Sequence, residues 1–422
     1  MNDAAVSAAP ASADAAPDPK ASRAGFRPVW LDALNFLLAD VRGALGPYLN
    51  VFLVTQRHWS QSEVGLMTTV SGLVGLAAQT PAGAAIDATN AKRGVIVVSL
   101  ALLAVGAVVI FLWPSFWPVM IANSALAVVG DVFGPAVAAL TLGLYLKRAL
   151  PARMGRNAAF DHAGNVAIAV VLGGVGWLFG QRAVFLSVPV FAALAAFAAL
   201  AIPDAAIDHG RARGSAEEGE TSGGWAQILA NRPLIAFAVS LMLFHFANAP
   251  LLPLVGQKIA LSHPGWATAA MSACIVAAQL VMLPIALLCG RKAGVWGRRP
   301  ILLAGFAVLP ARAVLYTLSD NSAWLVGVQL LDGVGAGVLS VLTPLVVADF
   351  TRGAGRYNFA LGAVTTAQGI GASLSGLASG VIVDRLGFSA AFLECAAAAT
   401  VALAALWLFV PESARPQAKR GS

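Results

Sequence analysis

The sequence is poor in charged residues. Lys, Arg, Asp and Glu make up 11% of its 422 residues, whereas a typical soluble domain carries ~25%. Hydrophobic residues account for 59%, which exceeds the ~45–50% of soluble chains. These proportions exclude an ordinary soluble globular protein. They predict a polytopic protein whose surroundings are a lipid bilayer.

Cysteines and the usual catalytic signatures are equally scarce. The three cysteines (Cys274, Cys289 and Cys395) lie in apolar runs without pairing or metal-ligand spacing, so neither a disulfide framework nor a metal site is predicted. No Gly-rich loop ending in Lys-Ser or Lys-Thr offers a phosphate cradle, and no soluble stretch is long enough for an ATPase domain. No nucleophile–base pattern stands out. The chain is therefore predicted not to be an enzyme and to need no cofactor or ATP.

The excess of basic residues has two interpretations. A formal net charge of +7 could indicate nucleic-acid binding. In a membrane protein the same excess arises because Lys and Arg collect on cytoplasmic loops. No nucleic-acid partner is therefore expected.

Apolar windows of about 20 residues, separated by charged or Pro/Gly-rich turns, predict twelve transmembrane helices. The predicted spans are 29–53, 63–86, 94–113, 117–142, 157–179, 183–202, 232–256, 266–289, 299–318, 323–347, 357–382 and 388–410. A polar, Gly-rich stretch at 203–231 is predicted to be a cytosolic linker. The predicted fold class is thus all-α, with six-helix bundles at 28–202 and 232–411. A disordered cytosolic tail is expected at 1–27 and a second cytosolic tail at 412–422.

The distribution of basic residues predicts the orientation. Of the 27 Lys and Arg residues, 21 fall in segments that share one side of the membrane if both termini are inside. This bias predicts cytoplasmic termini in a bacterial-type inner (plasma) membrane. The tail before the first span has no basic stretch followed by an apolar one, so it is not predicted to be a cleaved signal peptide.

The two halves of the chain repeat each other. Residues 131–134 (Asp-Val-Phe-Gly) in span 4 correspond to residues 332–335 (Asp-Gly-Val-Gly) in span 10. Residues 155–157 (Gly-Arg-Asn) at the start of span 5 correspond to residues 355–358 (Gly-Arg-Tyr-Asn) at the start of span 11. Internal duplication around a central linker is typical of transporters built from two pseudo-symmetric bundles.

The loop between spans 2 and 3 resembles the signature loop of the major facilitator superfamily, G-x-x-x-D-R/K-x-G-R/K-R/K. Gly83 and Asp87 match its first two fixed positions. Lys92 and Arg93 match its basic end, while Ala88 replaces the usual basic residue. The resemblance extends over about residues 29–410 when the twelve spans and the repeat are included. It implies two six-helix bundles that rock around a central site.

A second copy of this loop lies between spans 8 and 9. Arg298 and Arg299 form its basic end, but Gly294 stands where the acidic residue is usual. The resemblance implies that the motif residues form a gate on the cytoplasmic side, with Asp87 capping a neighbouring helix. The gate residues implied in this way are Gly83, Asp87, Lys92, Arg93, Arg298 and Arg299. The alternative is that Asp87 merely ends its own helix.

A charged patch interrupts the first span. Asp40 and Arg42 lie near its midpoint, where each charge costs ~2.5–3.5 kcal/mol on insertion scales. Because the two residues are two positions apart, they point roughly 200° away from each other on a helix. We expect them to face partners on other helices. The alternative is an internal ion pair that only holds helices together.

Three more titratable residues lie at a similar depth. The resemblance implies that spans 1, 4, 7 and 10 line the central cavity, and Asp131, His245 and Asp332 fall near the middles of spans 4, 7 and 10. With Asp40 and Arg42, they are the candidate substrate- and proton-binding residues. A carboxylate in a low-dielectric cavity favours its protonated form, so it can load and release a proton near neutral pH. Each residue also has a purely structural interpretation, as a hydrogen bond across a bundle or a neutralised charge.

The predicted function is secondary active transport of a small organic solute, coupled to protons, by a monomer using alternating access. Efflux of a metabolite or drug and uptake of a charged or amphipathic solute both stay open. Gly164 and Gly173 have the spacing of an exporter motif, but Trp177 and Leu178 stand where exporters carry Gly-Pro. The alternative function is a transport-inactive membrane sensor or scaffold. Arg312, in a span that the resemblance makes peripheral, is expected to snorkel or to pair locally.

Overall fold

The computed structural model describes residues 17–18, 21–22, 24–43, 45–212, 230–352 and 357–414. Every regular element in these residues is helical. The helices make twelve crossings in two groups of six, which confirms the predicted fold class. The middle of the predicted linker, at 213–229, and most of both predicted tails lie outside the described residues.

Seven helices build the first bundle. They are α1 (Pro28–Gly43), α2 (Leu45–Arg57), α3 (Gln61–Ala88), α4 (Lys92–Leu112), α5 (Phe116–Leu144), α6 (Leu150–Phe179) and α7 (Val184–Leu200). Together α1 and α2 make the first crossing. Pro47 falls in the first turn of α2, where its missing N–H leaves no helical hydrogen bond unmade. α6 begins at Leu150 rather than at the predicted residue 157, so two arginines of the predicted loop belong to a helix.

Seven further helices build the second bundle. They are α8 (Arg232–Asn248), α9 (Leu251–Ser262), α10 (Ala267–Trp296), α11 (Arg298–Leu315), α12 (Ser322–Phe350), α13 (Tyr357–Leu386) and α14 (Phe388–Phe409). The seventh crossing is α8 followed by α9. It is interrupted at residues 249–250 because Pro250 has no N–H to continue the α8 ladder. Asn231 caps α8 by accepting a hydrogen bond from the Leu234 N–H at 3.2 Å.

Nine helical segments within the described residues are long and apolar enough to cross a membrane by length and composition. The remaining crossings are the α1–α2 pair, α3 and α11. The first of these is split into two short helices, and α3 is rich in Ser, Thr and Gly. α11 carries Arg298, Arg299 and Arg312 within 18 residues. Polar residues in spans are tolerated where they face protein rather than lipid.

The helix ends define two ends of the molecule. At the basic end lie the N-termini of α1, α4, α6, α8, α11 and α13. The C-termini of α3, α5, α7, α10, α12 and α14 lie at the same end. This end carries Lys92, Arg93, Arg153, Arg156, Arg298 and Arg299. The opposite end holds the turns near residues 58–60, 113–115, 180, 263–266, 319–321 and 387.

The described residues before α1 pack against the basic end. The Asp18 N–H donates to the Leu144 carbonyl at 3.0 Å, and the Asp18 carboxylate lies 2.6 Å from Arg211. Ala21 and Phe26 are buried, and the Phe26 ring lies edge-on to Tyr145. Apolar burial and an ion pair favour order in these few residues, whereas the predicted disorder of the tail up to residue 27 stays a prediction.

Each bundle has its own apolar core. The larger buried cluster of the first bundle draws its residues from the segment 21–212, and that of the second bundle from 234–410. A smaller cluster, which includes Tyr48, Ile168 and Met271, packs across both bundles. In the first bundle α5 packs against α3 and α4, and in the second α12 packs against α10 and α11. The bundles meet where α3 contacts α13, α6 contacts α10, and α2 contacts α9.

Candidate functional site

A cavity of about 610 Å³ lies between the two bundles, walled by α3, α5, α8 and α13. Its volume falls within the ~300–1,000 Å³ range of small-molecule sites. Five glycines belong to its walls: Gly72, Gly75, Gly130, Gly134 and Gly369. A Cβ built on Gly130 or Gly134 would meet nothing within 4 Å, whereas one on Gly72 would lie 2.5 Å from the Ser373 hydroxyl oxygen. Its polar lining residues are Gln79, Asp131, His245, Thr365, Gln368 and Ser373. We call it the central cavity.

Asp131 enters the central cavity from the middle of α5. Pro135, four residues later, also lines the cavity and has no N–H to bond the Asp131 carbonyl. The helical ladder of α5 therefore has a missing bond beside the carboxylate. A missing bond of this kind lets a helix bend locally.

His245 enters the same cavity from the other bundle. It lies in the last turn of α8, one turn before the interruption at Pro250. Its backbone carbonyl accepts the Ala249 N–H at 3.0 Å, the last bond before the break. Two of the predicted site residues, Asp131 and His245, are thus brought together across the bundle interface.

Four polar side chains on the cavity wall are Asp131, His245, Gln79 and Gln368. They make no hydrogen bond or ion pair with any residue that the structure describes. All four are partly exposed to the cavity. Their donors and acceptors are therefore available to a solute or to water.

Asp332 is held differently from Asp131. It is ion-paired and hydrogen-bonded to Arg312 on α11, and the Gln329 amide donates to its other oxygen at 3.1 Å. Arg312 is almost fully buried and donates its second amino group to Asn248 at 2.9 Å. This network joins α8, α11 and α12 inside the second bundle. Asp332 is absent from the described cavity lining, and Arg312 shows the local pairing that was one of the two sequence-based expectations.

Asp40 and Arg42 lie in the last turn of α1, just before the junction with α2. Their side chains lie outside the described part of the structure. The backbone places them at the junction of the two short helices in the first crossing. Their predicted role stays a prediction.

The predicted gate residues of the first signature loop lie at the basic end. Gly83 and Asp87 belong to the last turns of α3, and the Asp87 side chain lies outside the described part. Lys92 is buried and bonds the Ile86 carbonyl. Arg93 pairs with Asp204 at 2.9 Å and donates to the Ile202 carbonyl at 2.6 Å. These described contacts stay within the first bundle.

The gate residues of the second loop form hydrogen bonds with the segment that follows α14. Glu412 accepts the Arg298 N–H at 2.9 Å and the Arg299 N–H at 3.1 Å, so it caps α11. The Arg298 guanidinium lies 3.3 Å from Asp349 at the end of α12. These contacts stay within the second bundle. Burial would raise the pKa of Glu412, but its hydrogen bonds from backbone N–H groups outweigh burial and lower that pKa.

A buried charge cluster at the basic end was not predicted from the sequence. Asp32 on α1 lies 2.7 Å from Arg153 and 2.7 Å from Arg156, both on α6. Asn157 accepts from Arg153 at 2.9 Å and donates to Thr141 at 3.0 Å. Asp32 lies inside the predicted span 29–53, whereas Arg153 and Arg156 were assigned to the loop before the predicted start of span 5 at residue 157.

Metal-ligating geometry does not arise in the part of the chain that the structure describes. No three His, Cys, Asp or Glu residues there are grouped so that they could hold a metal ion. Cys274, Cys289 and Cys395 are free thiols buried in the second bundle.

Comparisons with known proteins agree with this architecture. A family model described as "Major Facilitator Superfamily" matches residues 31–308 and 246–422. Two uncharacterized MFS-type transporters of Mycobacterium tuberculosis, from strains CDC 1551 / Oshkosh and ATCC 25618 / H37Rv, are each 46% identical to the chain over 387 residues. The match covers 91% of this chain and 93% of each relative.

Solved structures show the same fold at low sequence identity. A mutant of the nucleoside transporter NupG superposes with a TM-score of 0.73 at 13% identity, covering 91% of this chain and 99% of that one. A D-xylose-proton symporter superposes with a TM-score of 0.70 at 14% identity, covering 91% and 97%.

Proposed function

Because the chain belongs to the Major Facilitator Superfamily of membrane transporters, we propose that it carries a small polar solute through the central cavity by proton-coupled alternating access. One observation carries the proposal. Asp131 and His245 come from different bundles, line one cavity of about 610 Å³, and have no partner among the described residues. Costly polar groups of this kind inside a membrane mark a substrate or ion pathway.

Proton coupling follows from the chemistry of these two side chains. A carboxylate and an imidazole are the groups that exchange protons most readily when their surroundings change. As the bundles rock, the walls around Asp131 and His245 alternate between water and protein. Such alternation favours proton loading on one side and release on the other.

The lining narrows the class of solute. Amide, hydroxyl, carboxylate and imidazole groups supply hydrogen bonds, and Asp131 supplies a negative charge. Neither Phe, Tyr nor Trp belongs to the described cavity wall, so an aromatic ring would find no stacking partner there. These features favour a compact, hydrogen-bonding solute, cationic or zwitterionic, over a flat aromatic one.

The proposed function also includes an orientation in the membrane and an oligomeric state. The basic end faces the cytoplasm of a bacterial inner membrane, in line with the positive-inside bias. The functional unit is a monomer, because the central cavity is formed within one chain. Solute and protons are its partners besides the lipid.

The test is proton movement in proteoliposomes that contain a trapped pH-sensitive dye. A panel of amino acids, polyamines, sugars and nucleosides is added in turn, with and without an imposed pH gradient. We expect the first two classes to move protons with the wild-type protein. We expect Asp131→Asn to lower that flux about a hundredfold or more, because an amide cannot carry the proton and positioned acid–base groups typically contribute about 10²–10⁴-fold to proton transfer.

The control is Asp320→Asn, an exposed acid paired with Lys258 at the opposite end. It should transport like the wild type. Undiminished proton movement in Asp131→Asn would contradict the proposal. Thermal stabilisation by a solute without any flux would instead favour a sensor or scaffold.

A further inference from the structure

We propose that Asp384 is the latch of the gate at the opposite end. Its carboxylate, supplied by the second bundle, caps the first turn of α3 in the first bundle. The carboxylate must leave that position before the opposite end can open.

The contact is a helix cap made between two bundles. One oxygen of Asp384 accepts the Gln61 N–H at 2.9 Å, and the other accepts the Ser62 N–H at 2.7 Å. The Ser62 hydroxyl donates to that second oxygen at 2.5 Å. An anion at a helix N-terminus also interacts favourably with the helix dipole. Asp384 therefore joins α13 to α3 by three charge-assisted hydrogen bonds.

A second cap at the start of α3 is made within the first bundle, so α3 does not depend on Asp384 alone. Ser60 accepts the Glu63 N–H at 3.1 Å, and the Ser60 N–H donates to the Glu63 carboxylate at 2.8 Å. This internal capping box keeps α3 helical by itself. Asp384 accepts hydrogen bonds from two further N–H groups, those of the first two residues of the helix. When Asp384 leaves, water replaces it at an exposed site and α3 stays folded.

Direct backbone contact closes the seam beside the latch. A Cβ built on Gly65 would lie 2.3 Å from the Gly376 carbonyl oxygen, and one on Gly380 would lie 2.3 Å from the Gln61 carbonyl oxygen. Only glycine allows helices to approach so closely. The latch therefore adds hydrogen bonds to a contact between α3 and α13 that is already closely packed.

A threonine extends this seam towards the middle of the membrane. The Thr69 hydroxyl donates to the Ser373 carbonyl at 2.6 Å and accepts from the Leu377 N–H at 3.1 Å. These two groups are four residues apart, as the partners of a helical hydrogen bond are, so Thr69 of the first bundle bonds one step of the α13 backbone on both sides.

A smaller cavity of about 210 Å³ lies between the latch and the central cavity. Gln61 and Gly380, beside the latch, belong to its wall, and Ala372 lines both this cavity and the central one. Release of Asp384 would therefore open the smaller cavity to the opposite side. The two cavities are consecutive segments of one route.

The sequence around Asp384 has the spacing of the signature loop. Gly380, Asp384, Arg385 and Gly387 follow the pattern G-x-x-x-D-R-x-G. Gly387 has φ 86°, the left-handed conformation that ends α13 behind the acid. At the basic end the matching loop follows α3, whereas here it follows α13 and reaches back to α3. The same sequence pattern therefore occurs at each end of the molecule.

Pulsed electron paramagnetic resonance on the full-length protein in lipid nanodiscs tests the latch. Spin labels are attached to Ser115→Cys and Ser262→Cys, exposed positions of the two bundles at the opposite end. The native cysteines are buried. In Asp384→Ala we expect the ratio of long to short label distances to rise roughly tenfold, because the latch combines a cap with a dipole interaction.

Ser62→Pro breaks the same latch from the other bundle. Proline is tolerated in the first turn of a helix, but it removes both the N–H and the hydroxyl that bond Asp384. It should shift the distances in the same direction. Asp320→Asn, an acid of the same end paired within its own bundle, should leave them unchanged.

Unchanged distances in both Asp384→Ala and Ser62→Pro would overturn the proposal. So would misfolding of Asp384→Ala, seen by size exclusion and thermal unfolding, together with unchanged distances in Ser62→Pro. That combination would leave Asp384 a stabilising role only. The measurement needs no solute, so its outcome is independent of what the protein carries.

Discussion

The carboxylate of Asp32 lies 2.7 Å from the guanidinium of Arg153, and the two side chains are only 3% and 1% exposed. Arg156 shares the same carboxylate but is 53% exposed. One acid thus holds a buried and a solvated arginine at the basic end of the first bundle. Because the two arginines differ in burial, we expect the two ion pairs to contribute differently to the free energy of unfolding.

We expect Arg153→Gln to destabilise the protein more than Arg156→Gln. In Arg153→Gln the buried Asp32 keeps Arg156 as its partner, but the buried oxygen of Asn157 loses the hydrogen bond that Arg153 donates to it, which costs about 1–3 kcal/mol. Removing the exposed Arg156 costs about 1 kcal/mol or less. The midpoint of thermal unfolding in detergent measures both. Equal losses in the two variants would show that burial does not decide the strength of this cluster.

The buried pair of Arg312 and Asp332 gives a second prediction. Asp332→Asn leaves the Arg312 charge uncompensated inside the second bundle and should cost about 3–5 kcal/mol. The double variant Arg312→Met with Asp332→Leu should recover most of that loss, since a well-packed apolar pair is about as stable as a buried ion pair. Thermal unfolding measures stability, and dye-based flux tells whether the pair also serves transport. A double variant that is stable but inactive would support the predicted functional role of Asp332.

The cap that Glu412 forms on α11 makes stability depend on pH. Its pKa in the folded protein is lower than its ordinary value of 4.5. The ionised form therefore stabilises the fold fully above pH 4.5, and this contribution is lost as the pH falls through the lowered value. Glu412→Gln should lose about 0.5 kcal/mol at pH 7, a small amount because the side chain is exposed. The difference from the wild type should vanish in strong acid, as thermal unfolding at several pH values would show.

Close packing between α1 and α6 predicts a position-specific effect of a single methyl group. A Cβ on Gly164 would lie 2.1 Å from the Phe36 carbonyl oxygen, whereas nothing lies within 4 Å of one on Gly174. We expect Gly164→Ala to cost about 1–3 kcal/mol by overpacking. Gly174→Ala, on the same helix, should be neutral or slightly stabilising. Similar unfolding midpoints for the two variants would contradict the observed contact.

Much of the fold followed from local properties of the chain. The lengths of the apolar runs predicted all twelve crossings, although α6 begins earlier and α8–α9 ends later than expected. The boundary error at α6 arose because Arg153 and Arg156 look like loop residues until their partner Asp32 is known. Asp131 and His245 were found because an ionisable residue in mid-span is costly wherever the helix lies.

The sequence by itself determined the class of protein, the number of crossings and the mid-span depth of Asp131, His245 and Asp332, since these depend on hydrophobic length and local composition. Only the tertiary structure decided which charges have partners. It paired Asp332 with Arg312 and left Asp131 facing the cavity, although the two acids occupy equivalent positions of the repeat. It also brought Asp384 to the start of α3, more than three hundred residues away. Such contacts depend on how helices distant in sequence pack together, which no local pattern encodes.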